Sequence, residues 1–262
     1  VRSMRILNKY RLQGMVPYID ATEIPAVVVM GWVEGPTLKQ AVESHYVDQW
    51  KTRLHIASTL AEIIRRAHSL LERVLHRDIR PANIMLKGYY TDPDSFEVVV
   101  LDFDLSWHQG ASERSVIYGA TTTGYLAPEQ LQSIHGVTTR HASVDSFGIG
   151  MTMFFLAAKR DPFPTEHAHA NWMSTVEAAC RTLPYSDWVS LPARYARIIM
   201  QCTKTRQGER WDTAQITGEL ARLTQAMEEP SEVKWADMLA EEIVAKSDYA
   251  GQYDWDDDVR AA

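Results

Sequence analysis

The chain of 262 residues is 45% hydrophobic and 23% charged, the balance of an ordinary soluble globular protein with one large domain or two small ones. Its net charge of −7 speaks against a nucleic-acid binder, which needs clustered Lys and Arg to meet phosphates; residues 248–258 alone hold five aspartates and no Lys or Arg, so −7 less −5 leaves −2 for the rest. Cys180 and Cys202 read as free thiols in a reducing compartment, the longest apolar run (Ile149 to Ala158) is half a membrane span, and no signal peptide is visible, so the expected location is the cytoplasm.

Residues 1–15 set Met4, Ile6, Leu7 and Leu12 among basic residues, which predicts the end of an amphipathic helix. Pro17 and Pro25 bracket a short extended piece, and Ala26-Val27-Val28-Val29-Met30 is a β-branched run suited to a buried strand. Gly31 to Pro36 breaks it, and Thr37 opens a helix. Over residues 51–73, Leu54, Ala57, Leu60, Ala61, Ile64, Ala67 and Leu71 recur at three- and four-residue intervals, one apolar helical face.

That helix delivers the chain to His76-Arg77-Asp78-Ile79-Arg80-Pro81-Ala82-Asn83. Two short strands, Ile84–Lys87 and Phe96–Leu101, follow around a turn at Asp92-Pro93-Asp94, and the hairpin brings Asn83 near Asp102 of Asp102-Phe103-Asp104. An aspartate with an asparagine five residues on, then a second aspartate across a hairpin, is a phosphoryl-transfer layout. Asp78 is suited to accept a hydroxyl proton; Asn83 and Asp102 offer the hard oxygens that magnesium prefers.

Residues 105–120 are polar, contain Gly110 and Gly119, and show no period; they read as a mobile loop. The segment closes on Thr121-Thr122-Thr123-Gly124-Tyr125-Leu126-Ala127-Pro128-Glu129. Asp145 to Ala158 is almost wholly apolar, the mark of a helix in the centre of a domain. Arg160-Asp161-Pro162-Phe163-Pro164 leaves it. Further helices are expected over Arg194–Cys202, from Asp212 with Gln215 as a capping box, and over Val233 to Lys246, before a tail that sets Tyr249, Tyr253 and Trp255 among aspartates.

Taken together and in this order, these motifs resemble the eukaryotic-type protein serine/threonine kinases, over residues 28–228 and chiefly in their large lobe. The resemblance implies an α+β, predominantly α-helical fold with short β-hairpins near the catalytic loop: residues 1–33 as a remnant of the small lobe and hinge strand, 34–228 as the large lobe, and 229–262 as a C-terminal helix and acidic tail. It implies ATP and Mg2+ as cofactors and a protein substrate. Asp78, Arg80, Asn83 and Asp102 become catalytic, with Asn83 and Asp102 on the metal and Arg80 near the γ-phosphate where the family usually has Lys. Met30 takes the gatekeeper position, the backbones of Gly31 and Val33 hold adenine, and Met85 forms the floor beneath it. Arg77 reads a phosphate on the activation segment, with Ser112, Ser115 and Thr121 as acceptors and Thr122 in the same regulatory stretch; Pro81 and Thr122 point to serine/threonine substrates. Asp145 holds the catalytic-loop backbone, and Glu129 pairs with Arg210 in a buried structural ion pair.

Three departures qualify the resemblance. Thr121 and Asp104 stand where the family has glycine. No G-x-G-x-x-G or V-A-I-K pattern occurs, and the glutamate of the small-lobe helix would fall at Ser3. The expectation is a kinase with little activity as this isolated piece; the alternatives are a pseudokinase scaffold that binds partners without transfer, and a small-molecule kinase of the aminoglycoside or choline type. The C-terminal helix and tail are expected either to pack on the lobe or to dock a partner.

Overall fold

The structure is a computed structural model and describes residues 1–24, 26–103, 105–111, 124–131, 136–162 and 191–228. Asp104, Ser112, Ser115, Thr121, Thr122, Cys180 and the expected C-terminal helix and tail lie outside them. Among the described residues helices dominate, with three two-stranded antiparallel sheets, so the α+β expectation holds.

The first helix, α1 (Arg2–Lys9), buries Ser3, Met4, Ile6 and Leu7 and ends with Lys9 in its last turn, where a cation favours the helix dipole. Strands β1 (Tyr18–Glu23) and β2 (Ala26–Met30) pair antiparallel, with an irregularity after Tyr18. The expectation of a buried strand over 26–30 fails: Val27, Val29 and Met30 are exposed. Among the described residues β2 pairs only with β1; Val28 packs against the core, whereas nothing in a two-stranded sheet covers the face that carries Val27 and Val29. Beyond β2, Gly31 N–H donates to Pro17 O (2.8 Å), and the strap to α2 (Leu38–Glu43) lies along β4 (Ile84–Lys87) through Leu86 N–H to Pro36 O (2.9 Å) and Gly88 N–H to Glu34 O (3.0 Å). Gly35 sits at φ +145°, and any Cβ there would collide with the carbonyl oxygen of Leu86, so the close approach of strap and strand requires glycine. A reciprocal capping box of Thr37 and Gln40 starts α2.

Helix α3 (Trp50–His68) buries Leu54, Ile56, Ala57, Leu60, Ala61, Ile63, Ile64 and Ala67. It stops five residues before the expected end, and Leu71 is 84% exposed, although it fits the period. Ser69 Oγ and N–H both fold back on the Arg65 carbonyl, and Arg73 turns the chain at positive φ into β3 (Val74–Leu75). β4 pairs with β5 (Glu97–Val100) in the register Ile84↔Val100 to Lys87↔Glu97. β3 pairs with β6 (Trp107–His108), a strand inside the stretch read as a loop.

The short α4 (Pro128–Leu131) precedes α5 (Ser143–Ala158), whose residues from Ser143 to Ala157 are all buried. It is the central post: α3 and α6 (Leu191–Cys202) pack on it, and α7 (Thr213–Glu228) lies along α3. α7 opens on the reciprocal pair Asp212–Gln215 (2.8 and 3.0 Å). Each core side chain such as Phe147 or Phe154 gains about 1.5–3 kcal/mol from full burial.

Gly148 lets α5 approach the 76–83 loop. A Cβ there would stand 2.9 Å from Ile79 Cβ and 3.1 Å from the Ile79 carbonyl oxygen, so helix and loop touch only because this position is bare. Gly148→Ala is expected to lower unfolding free energy by about 1–3 kcal/mol in urea titration, as overpacking does. Wild-type stability would show that the loop yields freely.

Candidate active site

The 76–83 loop runs between β3 and β4, and its backbone is held from below. Asp145, fully buried in the first turn of α5, accepts from His76 N–H at Oδ2 (2.8 Å) and from Arg77 N–H at Oδ1 (2.6 Å); His68 Nε2 lies 2.8 Å from the same Oδ2. Burial pushes this carboxyl up, but the His68 hydrogen bond, the adjoining His76 and the Arg77 N–H outweigh it and hold it below the ordinary value. Arg77 has φ +69°, a left-handed conformation that costs a non-glycine residue on the order of 1–3 kcal/mol and persists only where neighbours enforce it. Its side chain is buried.

Asp78 stands at the mouth of the loop with its side chain 12% exposed. Asn83 Nδ2 donates to both Asp78 O and Asp78 Oδ2 at 2.9 Å, and Arg80 Nε is 3.3 Å from Oδ2, close enough to pair by charge without the alignment of a hydrogen bond. Burial raises the Asp78 carboxyl above the usual aspartate range; Arg80 and Asn83 oppose this, and the negative charge of Asp102 adds to it. His76 orients the loop by accepting from Asp78 N–H at Nδ1 (3.2 Å) and meeting Leu101 O at Nε2 (2.8 Å), which sets its hydrogen on Nε2. Its ring rests on that of Phe103, with centroids 4.7 Å apart.

Asp102 follows β5 at φ +54°, and Leu101 N–H donates to Asn83 O (2.8 Å), so the two residues flank one end of the hairpin. Both Asn83 amide hydrogens engage Asp78, which turns Oδ1 into the donor atom left for a cation. One amide oxygen and one carboxylate beside an ionisable Asp78 fit magnesium, which keeps waters and phosphate oxygens for its other positions.

On the strap side, Val33 is buried, Met85 is half-buried beneath Thr37, with which it forms a β-bridge, and Met30 and Trp32 are exposed. Ser3 is buried on α1, with Oγ 3.4 Å from His108 Nδ1 of β6. On the other side, Tyr125 O–H donates to Asp161 Oδ1 (2.7 Å), and Lys39 Nζ to Asp161 Oδ2 (3.0 Å). Arg210 grips Glu129 with two hydrogen bonds (2.6 and 2.9 Å).

Compared with known families, the chain matches the model of the protein kinase domain over residues 1–220. The chain belongs to the protein kinase family. This kinase is similar to the serine/threonine-protein kinase PrkC of Bacillus subtilis, 28% identical over 192 residues that cover 72% of the chain and 27% of PrkC. It is 23% identical over 221 residues to a putative serine/threonine-protein kinase of Mycoplasma pneumoniae, covering 76% of the chain and 55% of that protein. With human receptor-interacting serine/threonine-protein kinase 3 it shares 29% identity over 159 residues, 60% of the chain and 29% of the relative. The chain therefore spans between about a quarter and just over half of these relatives.

Within the kinase, Asp78, Arg80, Asn83 and Asp102 gather at one end of the β4–β5 hairpin, with Gly31, Val33 and Met85 along the strap and β4. Two contributors were missed in the sequence. His68, under Asp145, was signalled only by a histidine at the end of an apolar helical face. Gln130 directly follows the Ala-Pro-Glu motif and carries no signal of its own; it is buried and donates from Nε2 to Arg77 O (2.7 Å).

Proposed function

We propose that this chain is the phosphate-transferring part of a serine/threonine protein kinase, moving the γ-phosphate of ATP to a protein hydroxyl. The observation that carries the reading is Asp78: a carboxylate at a solvent-reaching position, oriented by Asn83 and made more basic by burial, next to a second carboxylate and a cation. Magnesium–ATP, when bound, supplies the phosphoryl group and neutralises its charge. Asn83 and Asp102 would hold the metal, Arg80 the γ-phosphate, and the Gly31 and Val33 backbones the adenine, with Met85 as its apolar floor and Met30 at the gatekeeper position. Asp78 orients the substrate hydroxyl and takes its proton. The names of the similar proteins support serine/threonine substrates. Residues 34–228 form the lobe in this reading, 1–33 the strap and its approach, and 229–262 an appendage that packs on the lobe or docks a partner. Arg77 is the reader of a phosphate at Ser112, Ser115 or Thr121, near Thr122. A cytoplasmic setting is part of this reading and is supported by Cys202, a free, buried thiol. Among the described residues no helix is long and apolar enough to cross a membrane.

The test uses the full-length protein with radiolabelled ATP, magnesium and a panel of serine- and threonine-containing proteins. Label on serine or threonine is expected. Binding of magnesium–ATP with no label on any protein, itself included, would reassign the chain as a scaffold. The pH profile adds a sharper reading. Transfer needs ionised Asp78, and its pKa is raised, so kcat should begin to fall on acidification above the roughly 3.9 of an ordinary aspartate. A kcat that stays flat down to about pH 4 would remove Asp78 from the role of base.

A further inference from the structure

The carbonyl of Arg77 and the N–H of Asp78 are the two polar ends of one peptide unit, and each has a side chain on it. His76 Nδ1 accepts from Asp78 N–H (3.2 Å), and Gln130 Nε2 donates to Arg77 O (2.7 Å). The rotation of this peptide sets the direction in which Asp78 leaves the backbone, and the residue before it is at φ +69°, where an unheld chain would relax. Asp145 fixes the N–H of Arg77, and Gln130 holds its carbonyl. Gln130 is itself locked. It is 2% exposed, and its Oε1 accepts from Ala127 N–H (3.0 Å), so the amide orientation is set by α4 and the donor end has one place to go. Glu129, the residue before it, is anchored by Arg210 and by Gln207 Nε2 (2.8 Å).

On the reading of Asp78 as proton acceptor, we infer that Gln130 is a positioning residue for it: a buried amide that ties the chain following the Tyr125–Glu129 motif to the peptide carrying the base. Disturbance of α4 reaches the peptide that carries Asp78 through this bond.

Gln130→Met keeps the volume and removes both hydrogen bonds. Gln130→Glu keeps the acceptor for Ala127 N–H and sets an oxygen against the Arg77 carbonyl; if the Met variant does not fold, this one decides. In the full-length protein, with magnesium–ATP and a peptide the wild type phosphorylates, both variants should lose about tenfold or more in kcat while KM for ATP stays within roughly twofold. Amide exchange at Asp78 should quicken while that of α5 does not. A general loss of stability would instead move α5 exchange as well and would count against the assignment. Wild-type kcat in both variants overturns the role of Gln130 and leaves that of Asp78 standing. If the wild type itself transfers no phosphate, the kinase reading is what fails. Exchange at Asp78 then judges Gln130 alone: faster exchange upholds the clamp, and unchanged protection overturns it.

Discussion

Asp78→Ala in the full-length protein is expected to lower kcat by roughly 10²–10⁴, the range that a positioned general base contributes, and to leave thermal stability equal or slightly improved. The second half follows from the sign of the pKa shift. A carboxyl whose pKa is higher in the fold than in the open chain binds its proton more tightly when folded, so at neutral pH its ionised form is a cost to the fold. Burial is the largest cause, Arg80 and Asn83 recover only part of it, and alanine removes the desolvated charge altogether. Asn83 keeps its bond to the Asp78 carbonyl in the variant, so the loop retains a tie there. Activity held at the expense of stability is what a working site shows and a structural aspartate does not. Calorimetry beside a transfer assay checks both halves. A kcat within tenfold of wild type would sink the catalytic assignment, and a large fall in Tm would make Asp78 a structural residue.

Local chemistry made much of this molecule legible. The capping pairs Thr37–Gln40 and Asp212–Gln215 are separated by three residues each, and the β4–β5 hairpin by one turn, so neighbours in sequence settle them. The apolar run of α5 reads as a central helix because no face of it is polar. The 76–83 loop and Asp102 converge for the same reason, one hairpin lying between them. What escaped was decided across elements. Val27 and Val29 are as apolar as a buried strand requires, yet a strand is buried only if a second layer covers it, and no pattern within the strand reports that. Leu71 fits the α3 period, but Ser69 ends the helix first. β6 is two residues long, too short to show alternation, and its pairing with β3 bridges more than thirty residues of sequence. Gln130 meets Arg77 across 53 positions, through a helix of four residues whose orientation is set by Glu129 and Arg210.

That ion pair carries the largest expected effect on stability. Glu129 and Arg210 have side chains 1% and 0% exposed and lie 81 residues apart in sequence. The guanidinium is fully engaged. Nε donates to Lys204 O (2.7 Å), Nη1 to Glu129 (2.6 Å) and Ser143 O (3.3 Å), and Nη2 to Glu129 (2.9 Å) and Thr205 O (3.1 Å), with Phe147 stacked 5.2 Å beneath. Glu129→Ala strands that cation in a dry site, where removal of one partner of a buried pair costs on the order of 3–5 kcal/mol, or roughly 10 °C in Tm for a chain of this size. Arg210→Ala does comparable damage from the other side, because it also abandons the carbonyls of Lys204, Ser143 and Thr205. Once the pair is broken, the second deletion removes a charge that no longer has a partner, so the double variant should be no worse than the poorer single, leaving a coupling energy of several kcal/mol. Losses that simply add would mean the two charges act independently, and a loss below about 1 kcal/mol in Glu129→Ala would mean that water reaches Arg210. The pair also anchors α4, and with it Gln130, so the same variants should slow transfer beyond what their unfolded fraction explains. Equal specific activity per folded molecule would separate the anchor from the chemistry.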